Sequence, residues 1–379
     1  MASKPTHKHE KEAHSADNLS WWVPVMSGRE KDLLGEVIDA NFPNDGAYTT
    51  RFEDEIRAIC ETDHAVAVTS GTMALAAALM ACGVGAGDEV IVPDITFIAT
   101  ANAVSLCGAV PVLVDVRLAD FTLDPAAVAR AITPRTKALI PVHVSGRAAQ
   151  MDALMSLAAE HGLVIIEDAA EGLGSRWGGR PLGSIGAAGC FSFSPAKTIT
   201  TGQGGMVTTN DADLAERLRM LKDQGRPVRG TGGADVHLSL GYNFKFTNLQ
   251  AAMGLAQLES LAERLAHQRA VYEWYAAHLP QDERLWLGPF DLPGGETPQW
   301  VDLWVEGRDA LYDFLIERRI QPRKFWFPLH TQTPYRGADA DFPAATAVGQ
   351  HALWLPSALT MTEADVVRVC GVIQEWLHA

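Results

Sequence analysis

The sequence predicts an α/β protein, with a largely parallel sheet covered by helices on both faces and a smaller C-terminal α/β unit. Three observations carry this. Short β-rich runs alternate with helix-like stretches through the first half, the pattern that sets parallel strands side by side with crossover helices outside. Several of the runs are apolar throughout, as strands buried on both faces must be. The 379 residues also exceed the ~250–300 that one core sustains, so two units around one site are expected.

The strand-like runs are Ala65–Val68, Glu89–Pro93, Val110–Val116, Ala138–Val144, Val164–Asp168, Gly189–Ser194 and Gly205–Asn210. Helical stretches at Met73–Cys82, Ile98–Leu106, Pro125–Ile132 and Met151–His161 lie among the first five. No helix separates the last two, so one member of a seven-stranded sheet is expected to be antiparallel. From Thr247 to Leu279, Leu249, Met253, Leu258, Leu261 and Leu265 keep near-helical spacing and no proline intervenes before Pro280, which predicts one long helix. A Gly/Pro-rich stretch follows (Gly288 to Pro298), then a strand at Trp300–Val305 and helices at Arg308–Arg319 and Thr362–Leu377. The expected divisions are a disordered tail over 1–20, a large cofactor-binding unit over 21–255 and a small unit over 256–379. The opening MASKPTHKHEKEAHSADN is polar and lacks the apolar core of a signal peptide, and its histidines read as solvated rather than as a metal site.

Composition bounds the partners. Hydrophobic residues make up 47% of the chain, enough for ample cores. A formal net charge of −15 argues against nucleic acid or an anionic membrane surface as the main partner, while leaving room for an anionic small substrate in a local positive field. Cys60, Cys82, Cys107, Cys190 and Cys370 lie far apart without a C-x-x-C and read as small buried hydrophobes in a reducing compartment. No run of 18 apolar residues occurs, so no membrane span is expected. The expected location is cytoplasmic.

Three segments carry chemistry. In Ser194-Pro-Ala-Lys197-Thr-Ile-Thr-Thr-Gly-Gln-Gly-Gly205, a lysine lies between an apolar strand and a Gly/Thr-rich loop. An amine buried near cations loses basicity and can attack an aldehyde, as a pyridoxal phosphate (PLP) Schiff base requires. Asp168 ends an apolar strand, at the edge where α/β sheets place ligands, and a carboxylate there can keep a pyridine nitrogen protonated. Glu171 either reaches that ring's phenolic oxygen or faces solvent. Thr69-Ser70-Gly71-Thr72 follows a strand and precedes a helix, so its amides and hydroxyls can cradle a phosphate. Each segment alone has an ordinary alternative: a loop lysine, an aspartate capping a helix, a plain helix N-cap. Their joint presence, in this order, favours the chemistry.

That order resembles the fold-type I PLP enzymes. Longer motifs narrow it: VTSGTMAL, GDEVIVPDITFIATANAV, GAVPVLVDV, ALIPVHVSG, VIIEDAAEGLGS, CFSFSPAKTITTGQGGMVTTND, LGYNFKFTNLQAAMGLAQL, FWFPLHTQTPY and LWLPSALTMTEADVVRV resemble the DegT/StrS family of sugar aminotransferases, from about Trp22 onward. The resemblance implies a PLP-dependent aminotransferase that moves an amino group from glutamate to a keto-sugar. It implies Lys197 as the Schiff-base lysine, Asp168 as the partner of the pyridine nitrogen, and Gly71, Thr72 and Ser192 around the phosphate. Phe97 matches an aromatic stacked on the cofactor, and Glu171 a position near the phenolic oxygen. Asn243 matches a residue reaching the phosphate of the neighbouring subunit, so a homodimer with composite sites is implied.

T-I-T-T-G-x-G-G and E-D-A-A-E are most similar to members acting at carbon 4 of nucleotide-linked 4-keto-6-deoxysugars. Other carbonyl sugars, including eight- or nine-carbon acidic sugars, or a keto-inositol are the alternatives. A deoxysugar dehydratase of this fold would carry histidine in place of Lys197, and a non-catalytic PLP-binding regulator would lack the lysine or the aspartate. A nicotinamide oxidoreductase would need G-x-G-x-x-G where S-G-T-M-A-L stands. Gln203, Lys245 and Ser145 depart from the family's usual residues, at positions expected to shape the sugar pocket.

Overall fold

The structure, a computed structural model, describes residues 18–227 and 235–379. Of the tail expected over 1–20, residues 1–17 lie outside the described residues, and Leu19–Ser20 pairs in parallel with Ile320–Gln321.

Seven strands form the main sheet: β1 (His64–Val68), β2 (Glu89–Pro93), β3 (Val110–Val114), β4 (Thr136–Leu139), β5 (Val164–Asp168), β6 (Ala188–Ser192) and β7 (Gly205–Thr209). Their spatial order is β1-β7-β6-β5-β4-β2-β3. The pairs from β6 to β3 are parallel, and β7 runs antiparallel to both β1 and β6. This is the one antiparallel member the sequence predicts. The parallel strands therefore end together, and only β7 begins, at the edge where the candidate site lies. β2 and β7 are buried along their whole length, as a sheet covered on both faces requires.

The helix Gly71–Ala81 runs beneath β6 and β7. Ala74 through Leu79 are all buried, because the run GTMALAAALMA is apolar on every side and can only sit inside. It starts two residues before the predicted Met73. Ser70 is its N-cap and accepts from the Met73 amide at 3.2 Å.

A second, antiparallel sheet holds β8 (Leu285–Leu287), β9 (Val301–Val305), β10 (Arg323–Lys324) and β11 (Ala352–Leu355), in the order β8-β9-β11-β10. Helices Leu261–His278, Arg308–Glu317 and Glu363–Leu377 share an apolar core with it.

Two expectations need correction. The run Ala138–Val144 is strand only to Leu139; Pro141 has no amide to give a ladder, and Ser145 takes φ of 54° within the turn Val144–Gly146. The single long helix over Thr247–Leu279 is two, Asn248–Leu258 and Leu261–His278. At the break Ser260 donates its hydroxyl to the Gln257 carbonyl at 3.2 Å and accepts from Arg264 Nε at 2.8 Å. Local side-chain bonds of this kind compete with the helical ladder, and apolar spacing does not register them.

Candidate active site

The carboxyl ends of β1, β2, β4, β5 and β6 open onto one pocket of about 260 Å³. It brings together Gly71, Thr72, Phe97, Asp168, Glu171, Ser192 and Lys197, that is, every predicted site residue except Asn243. Asn243 is exposed in a segment bridged to Asp223 and lies outside this pocket.

Alternation along β5 sends Glu167 and Asp168 to opposite faces. Glu167 is fully buried and accepts from His143 Nε2 at 3.0 Å and from the amides of Gly183, Ile185 and Gly186 at 2.8, 2.7 and 2.7 Å. His143 Nδ1 accepts from the Ala149 amide at 3.2 Å, which places the ring proton on Nε2. Burial pushes the Glu167 carboxyl up, but His143 and the amides overcome it and hold the group below its ordinary range. Glu167 thus pins the end of β5, and Asp168 faces the pocket from a fixed backbone.

Asp168 accepts from Thr100 Oγ1 at 2.8 Å and from the Ala170 amide at 3.2 Å. Thr100 is itself held at 2.8 Å by Thr96, which lies in the bend just before the helix Ala99–Leu106. Burial raises the Asp168 carboxyl above its ordinary value, against the pull of Thr100, Ala170 and the charge of Lys197. No helix follows Asp168 before β6, so it is not a helix cap.

Lys197 lies in a short loop braced by Trp22 Nε1 on the Pro195 carbonyl at 2.9 Å and by Arg264 Nη1 on the Thr198 carbonyl at 3.2 Å. Its Nζ donates to Glu171 Oε1 at 3.1 Å and stands 4.9 Å from the centre of the Trp300 ring. The closest charged partner of the amine is therefore a carboxylate, where the sequence reading invoked cations. Glu171 is buried, which settles the open alternative against a solvent-facing side chain. Its other oxygen accepts from the Ser145 amide at 2.8 Å, and burial raises its carboxyl against the opposing charge of Lys197.

At the other end the backbone comes close. A Cβ on Gly71 would stand 2.7 Å from Ser192 Cβ, and one on Gly205 would stand 2.2 Å from the Ser70 carbonyl oxygen. Only glycine lets the turn pack there, leaving the start of the Gly71–Ala81 helix and the Thr72, Ser192 and Ser194 side chains lining the pocket.

Sequence reasoning missed Thr100, Trp300, Arg323 and Trp326. Thr100 lies in the first turn of the helix Ala99–Leu106, and no spacing in the sequence links it to Asp168. The other three come from the C-terminal part and have no fixed spacing from Lys197. Of the three departures noted, Gln203 lines the pocket. Lys245 is bonded to Asp223 at 2.6 Å instead. Ser145 is buried, donating to Asp302 at 2.7 Å and accepting from Trp354 Nε1 at 3.0 Å. It ties the second sheet to Glu171 rather than lining the pocket.

A family model described as the DegT/DnrJ/EryC1/StrS aminotransferase family matches residues 24–374. The chain belongs to this family. It is 40% identical to a GDP-perosamine synthase of Caulobacter vibrioides over 95% of this chain and 98% of the relative. It is 39% identical to a dTDP-3-amino-3,4,6-trideoxy-alpha-D-glucose transaminase of Streptomyces venezuelae, covering 90% of each. Among solved structures it superimposes on S. venezuelae DesV, determined with a ketimine intermediate, with a TM-score of 0.88 and 36% identity over 93% of this chain and 95% of that one. The chain is an enzyme, a PLP-dependent sugar aminotransferase of fold type I.

The residues fit this cofactor. The glycine-lined turn, with its cap and hydroxyls, offers donors to a phosphate. Asp168 has spare lone pairs facing the pocket for a ring N–H. Lys197 lies within the same pocket, in reach of an aldehyde.

Proposed function

We propose that the chain transfers an amino group from glutamate to a nucleotide-linked 4-keto-6-deoxysugar, acting in the cytoplasm as a homodimer. The observation that carries the aminotransfer chemistry is Lys197 Nζ, bonded to Glu171, in one pocket with the buried Asp168. The likeness to the Caulobacter GDP-perosamine synthase supports the substrate class. Consistent with these roles, no described helix is long and apolar enough to cross a membrane.

Gly71, Thr72 and Ser192 would hold the phosphate, Phe97 would cover the ring, and Lys197 would hold the aldehyde carbon covalently. When bound, PLP supplies an electron sink for a carbanion at the substrate carbon. Asp168 would hold a proton on the ring nitrogen, and the Thr100 hydroxyl and Ala170 amide fix the orientation of that carboxylate. Once the donor's amine takes its place on the aldehyde carbon, the freed Lys197 Nζ would remove the proton from the donor's α-carbon, as a general base must from within hydrogen-bonding reach. Glu171 positions Nζ for this and lies beside it to share a proton.

The test is transfer of label. The enzyme is incubated with ¹⁵N-glutamate and a panel of keto-sugars, led by a GDP-linked 4-keto-6-deoxysugar. The expected result is ¹⁵N in a 4-amino-sugar nucleotide. Label entering only a 3-keto-sugar or a keto-inositol would move the assignment to that substrate.

The dimer reading rests on Asn243 and its neighbours. Val236, Leu238, Leu240 and Tyr242, just before Asn243, are exposed apolar side chains that a second copy would cover. If Asn243 completes the partner's phosphate site, mixing Lys197→Ala with Asn243→Ala chains puts both lesions in one site of the heterodimer. The other site stays whole. Activity absent from both parents should return, up to about half of wild type per heterodimer. A mixture no more active than its parents would remove Asn243 from the site.

A further inference from the structure

We propose that Arg323 is the carboxylate-recognition residue for the amino donor. This deepens, and rests on, the aminotransfer reading above.

Among the residues lining the pocket only Lys197 and Arg323 carry a positive charge, and Lys197 is engaged with Glu171. Arg323 has no carboxylate within ion-pair distance among the described residues. Its neighbours in the chain differ: Lys324 Nζ meets Asp309 at 2.8 Å, and Arg318 meets Glu375 at 3.4 Å. The guanidinium is nonetheless held in place. Its central carbon lies 4.6 Å from the centre of the Trp21 ring and 5.5 Å from that of Trp354, and its backbone is paired with Trp354 in the second sheet. Trp354 is in turn bonded to Ser145, whose amide holds Glu171. Stacking on indoles fixes the plane of a guanidinium while leaving its N–H edge free.

A planar fork of donors, pre-oriented and without a partner, is built for a bidentate anion. The Trp354 ring beside Arg323 is bonded to Ser145, the Ser145 amide holds Glu171, and Glu171 is bonded to the reacting amine in the pocket that Arg323 also lines. The guanidinium therefore lies towards the reaction end of the pocket, while the turn at Gly71 has its own donors for a phosphate. An α-amino acid that presents its nitrogen beside Lys197 carries its carboxylate one carbon away. The diphosphate of a nucleotide sugar is separated from the reacting carbon by the sugar ring. Distance favours the carboxylate.

The two half-reactions of the holoenzyme separate these sources. L-glutamate converts the cofactor to its amine form, and the amino-sugar nucleotide does so in the reverse direction; each is followed by absorbance. In Arg323→Gln the glutamate half-reaction should fall about 10²–10³-fold in kcat/KM, with the amino-sugar half-reaction within about threefold of wild type. Arg323→Lys should fall between them, and added guanidine should restore glutamate turnover to Arg323→Ala. Binding of glutarate, which carries carboxylates but no amine, should weaken in parallel when followed by tryptophan fluorescence. Equal loss in both half-reactions would make Arg323 a structural residue. Loss confined to the amino-sugar arm would assign it to the diphosphate, and no loss in either would remove it from the site. Each of these overturns the proposal. A wild-type enzyme converted by neither substrate would overturn the aminotransfer reading itself.

Discussion

Lys197→Ala is expected to abolish turnover while leaving the chain folded and able to take up PLP without a covalent bond. Loss of a positioned general base alone costs about 10²–10⁴ in rate. Loss of the attachment point removes the imine absorbance as well. Folding should survive because Lys197 sits in a loop that Trp22 and Arg264 brace through backbone carbonyls, bonds that do not depend on its side chain. The variant does leave Glu171 buried without its cation, at a cost of about 1–3 kcal/mol. Stability should therefore drop modestly, and Lys197→Ala/Glu171→Gln should recover part of it, because the neutral amide oxygen still accepts from the Ser145 amide. Thermal melts of the three forms check this. A double variant less stable than the sum of the two single ones would show that the pair does not act as described.

Asp168→Asn has the second largest expected effect. The substitution keeps volume and still accepts from Thr100, but an amide cannot balance a ring proton. Losing one preorganised electrostatic partner of the developing charge costs about 2.7–4 kcal/mol of activation free energy, or roughly 10²–10³-fold in rate. Cofactor affinity should fall far less, because the phosphate cradle is untouched. The signature is kcat collapsing while PLP stays bound, measured by turnover and by retained absorbance after gel filtration. Near-normal kcat would mean that another group keeps the ring protonated.

What the sequence carried and what it hid divide along physical lines. β5 and its terminal Asp168 were legible because the apolar run Val164–Ile166 marks a strand buried on both faces, and the two carboxylates that follow mark its end. The antiparallel β7 was legible because the chain between β6 and β7 is too short and too Gly-rich for a crossover helix. The Lys197 loop was legible through its motif. The break at Ser260 was not, since it depends on a hydroxyl choosing a carbonyl over solvent and leaves the leucine spacing intact. The strand end at Leu139 was missed for a related reason, because Ile140, Val142 and Val144 stay apolar and Val142 still bridges Asp168, while Pro141 interrupts the ladder and the chain turns only at Val144. Ser145 looked like a pocket substitution and is a buried tie between Glu171 and Asp302, a role set by tertiary packing. Trp300, Arg323 and Trp326 were invisible because they reach the site from more than a hundred residues beyond Lys197, and only the docking of the second sheet brings them there.

If one lysine both holds the cofactor and lies where the amino group is transferred, covalent trapping should find that lysine. The yellow holoenzyme is reduced with borohydride, digested, and its peptides are mapped by mass spectrometry. A single pyridoxyl adduct on Lys197 is expected, with the absorbance bleached and activity lost in proportion. An adduct on any other lysine, or full activity after stoichiometric reduction, would contradict it.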